Sequence, residues 1–305
     1  MSTVQGYRAE NRSFSITQAA HPDWLDKAVY PFQSRYMALD GHRIHYIDEG
    51  SGPILLFLHA NPLWSFQYRH IIVPLREYFR CIALDYPGFG LSEAREGFIT
   101  TLSGNSMLVE EFIKALDLKD LTLVAHDSSV SIGLGVVVRH PEWFRALIIS
   151  NGFAWSLTED PAINRFIKIV ASPVFRFIVM NFNLLVRYTV ANLDNLSTSE
   201  KRAYLTPFVN KQRRRHQHDL FRSIVNSQDY LNNLKSRLSE IRDFPVLLAF
   251  ADNDPTWQAG WMQRYEGIFP NHTSVRIEGA HHFPQEYNPG AIVKAIQKWW
   301  NQKMG

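Results

Sequence analysis

The sequence predicts an α/β fold: an open, doubly wound, mostly parallel sheet interrupted by an inserted helical cap. Three observations lead there. Short, continuously apolar runs bounded by turn residues alternate with helical periodicity through the first 152 residues, as strands covered on both faces and joined by crossover helices do. The rhythm stops at Phe153, and helical pattern continues to about Arg242. It restarts at Asp243-Phe244-Pro245 with two more strand-like runs. The expected organisation is a core in two parts, 1–152 and 243–305, around a cap at 153–242.

The strands are expected at Arg35–Leu39, Arg43–Asp48, Ile54–His59, Cys81–Leu84, Leu121–Ala125, Ala146–Ser150, Val246–Phe250 and Ser274–Ile277. The first two read as a hairpin turning at Asp40-Gly41. Thr101–Leu116 reads as a crossover helix. Inside the cap, Ser197 with Glu200 makes a capping-box start, and Pro161, Pro173 and Pro207 punctuate the helices. An insertion that leaves after one strand and returns before the next sits over the carboxyl ends of the sheet, where open α/β folds bind ligands. The active site is therefore expected between cap and sheet.

Composition removes other classes. With 305 residues, 46% hydrophobic and 20% charged, the chain can bury a large core, which excludes disorder and fibrous repeats. Lys+Arg 32 against Asp+Glu 29 leaves a net charge of only +3. The dense basic run, Lys211 to His218 (KQRRRHQH), is expected to be a solvated helix face rather than a phosphate-binding patch, so no nucleic-acid partner is expected. Cys81 is the lone cysteine, and the start MSTVQGYRAENRSF lacks the order of a secretory signal, which favours a cytoplasmic setting. The apolar stretch Phe166–Val190 is broken by Lys168, Pro173, Arg176, Asn181, Asn183 and Arg187. It is expected to line an access tunnel for an apolar substrate, with Phe177 and Leu184 in its wall, rather than to meet a membrane.

The chemistry is expected at strand ends. Ala125-His126-Asp127-Ser128-Ser129 follows an apolar strand and opens a helix, with small residues two before and two after Asp127. Such a turn needs little bulk around it and lifts the central side chain to the head of the helix, where negative charge is stabilised. An aspartate at a helix start is also an ordinary N-cap. Two further segments favour chemistry: Gly279-Ala280-His281-His282-Phe283 after the last strand supplies a base, and Ala251-Asp252-Asn253-Asp254-Pro255 after the strand before it supplies an acid. The order Asp127, Asp254, His282 is that of nucleophile, acid and base in α/β-hydrolases.

These residues resemble those of the haloalkane dehalogenases within the α/β-hydrolase superfamily, and the likeness covers most of the chain. Leu58-His59-Ala60-Asn61-Pro62-Leu63-Trp64 through Arg69 is similar to the family's oxyanion-loop motif, with Ala60 where glycine is usual. Asp85-Tyr86-Pro87-Gly88-Phe89-Gly90-Leu91-Ser92 resembles the superfamily's loop after its fourth strand, and His282-Phe283-Pro284-Gln285-Glu286 matches the catalytic-histidine segment, which favours His282 over His281. The resemblance implies that Asp127 attacks an sp3 carbon to form an alkyl ester, that His282 oriented by Asp254 activates water, and that the backbone N–H groups of Asn61 and Ser128 hold the oxyanion. It implies Asn61 as a halide donor. The family's second donor is a tryptophan directly after the nucleophile, and this chain has Ser128 there. Trp64, Trp155 and Trp257 are candidates to compensate from the pocket wall.

No metal or cofactor is implied, since nucleophile, base and water complete the reaction. Dehalogenation of a small apolar substrate is thus the expected function. An epoxide hydrolase using Tyr188, Tyr204 or Tyr230, a hydrolase of β-lactones or other alkyl esters, and a ligand-binding homologue with little turnover are the alternatives.

Overall fold

The computed structural model describes residues 3–6, 14–194 and 196–304, in which ten strands form one sheet. They are β1 (Thr3–Gly6), β2 (Phe14–Gln18), β3 (Arg35–Leu39), β4 (His42–Glu49), β5 (Ile54–Leu58), β6 (Arg80–Leu84), β7 (Leu121–His126), β8 (Phe144–Ser150), β9 (Val246–Ala251) and β10 (His272–Ile277). Their order across the sheet is β1-β2-β3-β4-β6-β5-β7-β8-β9-β10. From β6 to β10 every neighbouring pair is parallel, and β1 to β4 extend the sheet as an antiparallel ribbon joined to β6. Every residue of β7 and β9 is buried, which explains their unbroken apolar character. The β3–β4 hairpin turns at Asp40 and Gly41 with φ of 47° and 76°, the double positive φ that a tight two-residue hairpin needs. β1 and β2 were not foreseen: FSITQ alternates, but its two apolar residues make too short a pattern to announce a strand.

Among the described residues thirteen helices accompany the strands: α1 (Arg69–Leu75), α2 (Leu102–Ala115), α3 (Ser128–Arg139), α4 (Pro161–Val170), α5 (Pro173–Phe182), α6 (Leu184–Ala191), α7 (Thr198–Leu205), α8 (Lys211–Asn226), α9 (Gln228–Arg237), α10 (Pro255–Gln258), α11 (Trp261–Ile268), α12 (Pro284–Tyr287) and α13 (Pro289–Lys303). α2 and α3 pack on each other, α1 packs on α13, and α13 lies along β9 and β10. α4 to α9 all fall between β8 and β9. α8 packs against α4 and α5, and α9 against α3. Ser197 and Glu200 form the reciprocal capping box at the start of α7.

α8 corrects the reading of KQRRRHQH as a solvated face. His216, Gln217 and His218 are buried, His216 Nδ1 bonds Thr100 Oγ1 at 2.8 Å, and the three arginines are spent on backbone carbonyls. Arg213 donates to Gly90 at 2.6 Å, Arg214 to Phe208 and Met180 at 2.7 and 2.9 Å, and Arg215 to Phe98 at 3.0 Å. A guanidinium offers five donors in a fixed fork, so it satisfies loop carbonyls that no backbone N–H reaches. The run stitches the insertion to the loops that follow β6.

Candidate active site

At the end of β7 the chain reverses at Asp127, with φ 58° and ψ −135°, and enters α3 at the next residue. A non-glycine residue with positive φ is strained, and neighbours hold it. Ser129 Oγ accepts from His126 N–H at 2.9 Å and donates toward the Leu58 carbonyl at 2.8 Å, tying the elbow to β5. Gly152 matters equally, because a Cβ there would lie 2.4 Å from the Asp127 carbonyl oxygen and from Val130 Cγ2. The small residues around Asp127 were legible; Gly152, brought in by β8, was not.

The turn points the carboxylate at two sets of donors. Oδ2 accepts from the Asn61 backbone N–H at 3.3 Å and from the Ser128 hydroxyl at 3.0 Å. Oδ1 lies 3.7 Å from His282 Nε2. Burial, the largest influence, opposes ionisation of Asp127, yet the bond and charge of His282 and the Ser128 N–H hold its carboxyl below the usual range.

His282 stands in the loop between β10 and α12, and its Nδ1 donates to Asp254 Oδ2 at 2.5 Å. Asp254 is fully buried and caps α10, its other oxygen accepting from Thr256 N–H at 2.7 Å. Burial would raise the Asp254 pKa, but His282 and Thr256 bring it down to about 2. Burial would lower that of His282, but Asp254 and Asp127 lift it to about 10. The structure thus brings Asp127, Asp254 and His282 together, while His281 is exposed and turns to Tyr287, with ring centroids 5.0 Å apart. His126 was not anticipated: its ring centroid is 5.1 Å from that of His282, its Nδ1 donates to the Ser150 carbonyl, and burial drops its pKa to about 4, so an uncharged ring flanks the site.

Asn61 follows β5, and besides its backbone N–H it contributes a side-chain amide already engaged with the Gln217 carbonyl of α8 at 3.1 Å. Gln217 returns a bond to the Pro62 carbonyl at 3.1 Å, so α8 and the loop after β5 clamp each other. An ion cluster around the buried Arg69 lies behind that loop. Arg69 donates to Glu200 of α7 at 2.6 Å and to both oxygens of Glu286 of α12 at 2.5 and 2.9 Å, and Tyr204 also bonds Glu286. Sequence gave no signal for it, because Arg69 and Glu286 are 217 residues apart.

The proposed pocket residues fare unevenly. Trp64 is fully buried and its indole donates to the Ala203 carbonyl at 3.2 Å, so its donor is spent. Trp155 is buried against Trp261 and Tyr265, with the Arg264 guanidinium 3.9 Å over its ring. Trp257 lies on α10 with Arg276 5.8 Å over its ring. Phe177 is 65% exposed and stands in solvent rather than in a tunnel wall. Leu184 lines an open groove of about 950 Å³ between α6, α7 and the start of α8, together with Phe182, Arg187 and Leu205.

An elbow that opens a helix at a strand's carboxyl end, opposite a histidine–carboxylate pair from the following strand loops, defines an α/β hydrolase, and the α/β hydrolase fold model matches residues 53–289. The chain belongs to the haloalkane dehalogenase family of that fold. It is 32% identical over 275 residues to haloalkane dehalogenase 2 of Mycobacterium tuberculosis, covering 89% of this chain and 96% of the relative. It is also 30% identical over 187 residues to a cis-3-alkyl-4-alkyloxetan-2-one decarboxylase of Shewanella oneidensis, 59% of each chain. Among solved structures, a haloalkane dehalogenase of Agrobacterium tumefaciens C58 superposes with a TM-score of 0.77 at 23% identity, covering 88% of this chain and 96% of that one.

Proposed function

We propose that this protein hydrolyses an sp3 carbon–halogen bond through an alkyl-enzyme ester on Asp127, with no metal or cofactor in the step. The observation that carries the reading is the division of labour on one carboxylate: Oδ2 is held by the Asn61 N–H while Oδ1 faces His282. Oδ1 attacks carbon in line and the halide leaves with the bonding pair. Water then gives a proton to His282 Nε2 and adds to Cγ of Asp127, placing the negative charge on Oδ2 against the Asn61 and Ser128 N–H groups. Collapse releases the alcohol, which takes the proton, and frees the carboxylate, so R–X and water become R–OH, halide and a proton. Asp254 orients His282 and stabilises its charged form. A serine nucleophile would instead retain an acyl group from the substrate.

A second reading is favoured by the donors already in use. The Asn61 amide serves Gln217 and the Ser128 hydroxyl serves Asp127, which leaves a departing halide with few partners. Opening of a strained lactone at its sp3 carbon keeps the leaving carboxylate tethered and asks less of such a site, and the oxetanone decarboxylase relative points the same way. Epoxide opening has less support: Tyr188 is exposed, the Tyr204 hydroxyl serves Glu286, and that of Tyr230 donates to the Ser131 carbonyl at 2.8 Å.

The test is intact-protein mass of a His282→Phe variant after mixing with a bromoalkane, a cis-β-lactone or an epoxide in separate tubes, with Asp127→Ala as control. A gain equal to the alkyl group, with bromide released, supports dehalogenation. A gain of the whole ring compound moves the assignment to ring opening. No adduct in any tube counts against Asp127 as nucleophile and favours a binding protein.

A further inference from the structure

We infer that the face formed by α4, α5 and α6 docks on an anionic lipid surface. The sequence favours a tunnel wall over an interfacial helix for this stretch despite its flanking cations, but the folded chain leaves Phe166, Ile169, Val174, Phe177, Phe182 and Tyr188 exposed on these three helices, Val174 and Phe177 by 73% and 65%. They are six of the eleven large apolar residues found exposed among the described residues. Such a concentration on 31 residues is not the scattered exposure of an ordinary surface.

Charge identifies the occupant. From Pro161 to Leu193 the chain carries Arg165, Lys168, Arg176 and Arg187 and no aspartate or glutamate. Beside the apolar face, Lys168, Arg176 and Arg222 line a depression of about 510 Å³ between α4, α5 and α8. Arg176 is bonded to the buried Asp219 of α8 at 3.1 Å, and Lys168 and Arg222 make no ion pair among the described residues. An apolar face rimmed by cations with aromatics at its edge is the pattern of a helix lying in a lipid headgroup region. A second copy of the chain would bring the same uncompensated positive charge against itself, whereas an anionic bilayer neutralises it.

The helices lie on such a surface and do not cross it. No single helix among the described residues is long and apolar enough to span a membrane, and α5 and α6, which together have the composition, meet at 73°. The ten residues of α5 reach about 15 Å, half of a ~30 Å hydrocarbon core. Because α8 packs on α4 and α5 and holds Asn61 through Gln217, the docking face sits one helix away from the candidate site.

The experiment is flotation of the full chain with phosphatidylcholine vesicles containing about one-third phosphatidylglycerol, against phosphatidylcholine alone, at low and high salt. The wild type should float with the anionic vesicles only, and less at high salt. K168A/R222A should lower partitioning about 25-fold, roughly fivefold for each cation removed. F166S/I169S, which alters exposed side chains, should abolish it while the far-ultraviolet circular dichroism stays unchanged. Absence of flotation overturns the inference, as does flotation that both variants leave intact. So does a dimer, seen by light scattering, that F166S/I169S dissolves without any vesicle binding, which would assign the face to a second copy.

Discussion

Asp127→Asn should lower the pKa of His282 by about three units without touching the histidine. In the resting site two carboxylates act on this ring, Asp254 at 2.5 Å and Asp127 at 3.7 Å, and its pKa stands at about 10. At neutral pH it is therefore an imidazolium, which is no base. Alkylation of Asp127 in the proposed reaction converts that carboxylate to a neutral ester, and asparagine copies the loss of charge at the same size. With an effective dielectric of about 20, a unit charge 3.7 Å away is worth about 4.5 kcal/mol, or about three pKa units. The shift brings His282 from about 10 to about 7, so that the base is created by the substrate it must serve. The assay is an NMR titration of the His282 ring, assigned by comparison with His282→Phe, in wild type and in Asp127→Asn whose amide is verified by mass. A midpoint that stays above about 9 in Asp127→Asn would refute the argument. In that case proton release must come from another source, and the pH dependence of ester hydrolysis would have to be explained without Asp127.

Other consequences are measurable in the same way. Glu286→Ala leaves Arg69 buried with one of its two carboxylate partners, which should cost about 3–5 kcal/mol in urea unfolding. Gly152→Ala pushes a methyl group into the elbow and should cost roughly 1–3 kcal/mol together with most turnover, while Gly290→Ala, in open space, should be silent in both. Stability should depend on pH with a definite sign. Glu200 and Asp254 have their pKa values depressed to about 2, so the stability they confer is present above their ordinary values of 4.5 and 3.8 and is lost as pH falls toward 2. His282 is raised, so its contribution is full below 6.5 and is lost as pH rises through about 10. Thermal melts should show a plateau between these limits, and a melting temperature that climbed from pH 7 to 10 would contradict the assignment.

Much of this was legible in the sequence, for physical reasons. β5, β7 and β9 are covered on both faces, so burial writes an unbroken apolar run, and the observed strands depart from the expected ones by one or two residues at their ends. Asp40-Gly41 and Ser197 with Glu200 are local chemistry, read within four residues. What escaped is long-range. Glu200 was visible as a cap partner but not as a ligand of Arg69, since pairing across 131 residues leaves no periodicity. The arginines of α8 look like a solvated charge run because sequence does not show which loop carbonyls lack donors. The exposed side of α4 to α6 was misread for the opposite reason: apolar residues imply burial by default, and only the fold shows that among the described residues nothing covers these.

Ser128 stands where the family resemblance implies a tryptophan, and its position bears on the step it serves. Its hydroxyl donates to Oδ2 of Asp127, the oxygen that the Asn61 N–H also holds, and not toward open space where a leaving group would stand. In the proposed mechanism Oδ2 becomes the oxyanion of ester hydrolysis, so the serine adds a donor to the second step and none to the first. Removing one donor of this kind typically slows the step it serves by about a hundredfold or more. Ser128→Ala should then release bromide in its first turnover nearly as fast as wild type while the alkyl-enzyme accumulates, visible by mass without any change to His282. If bromide release slows equally and no adduct builds up, Ser128 acts on the leaving group, and the halide site is built around it after all.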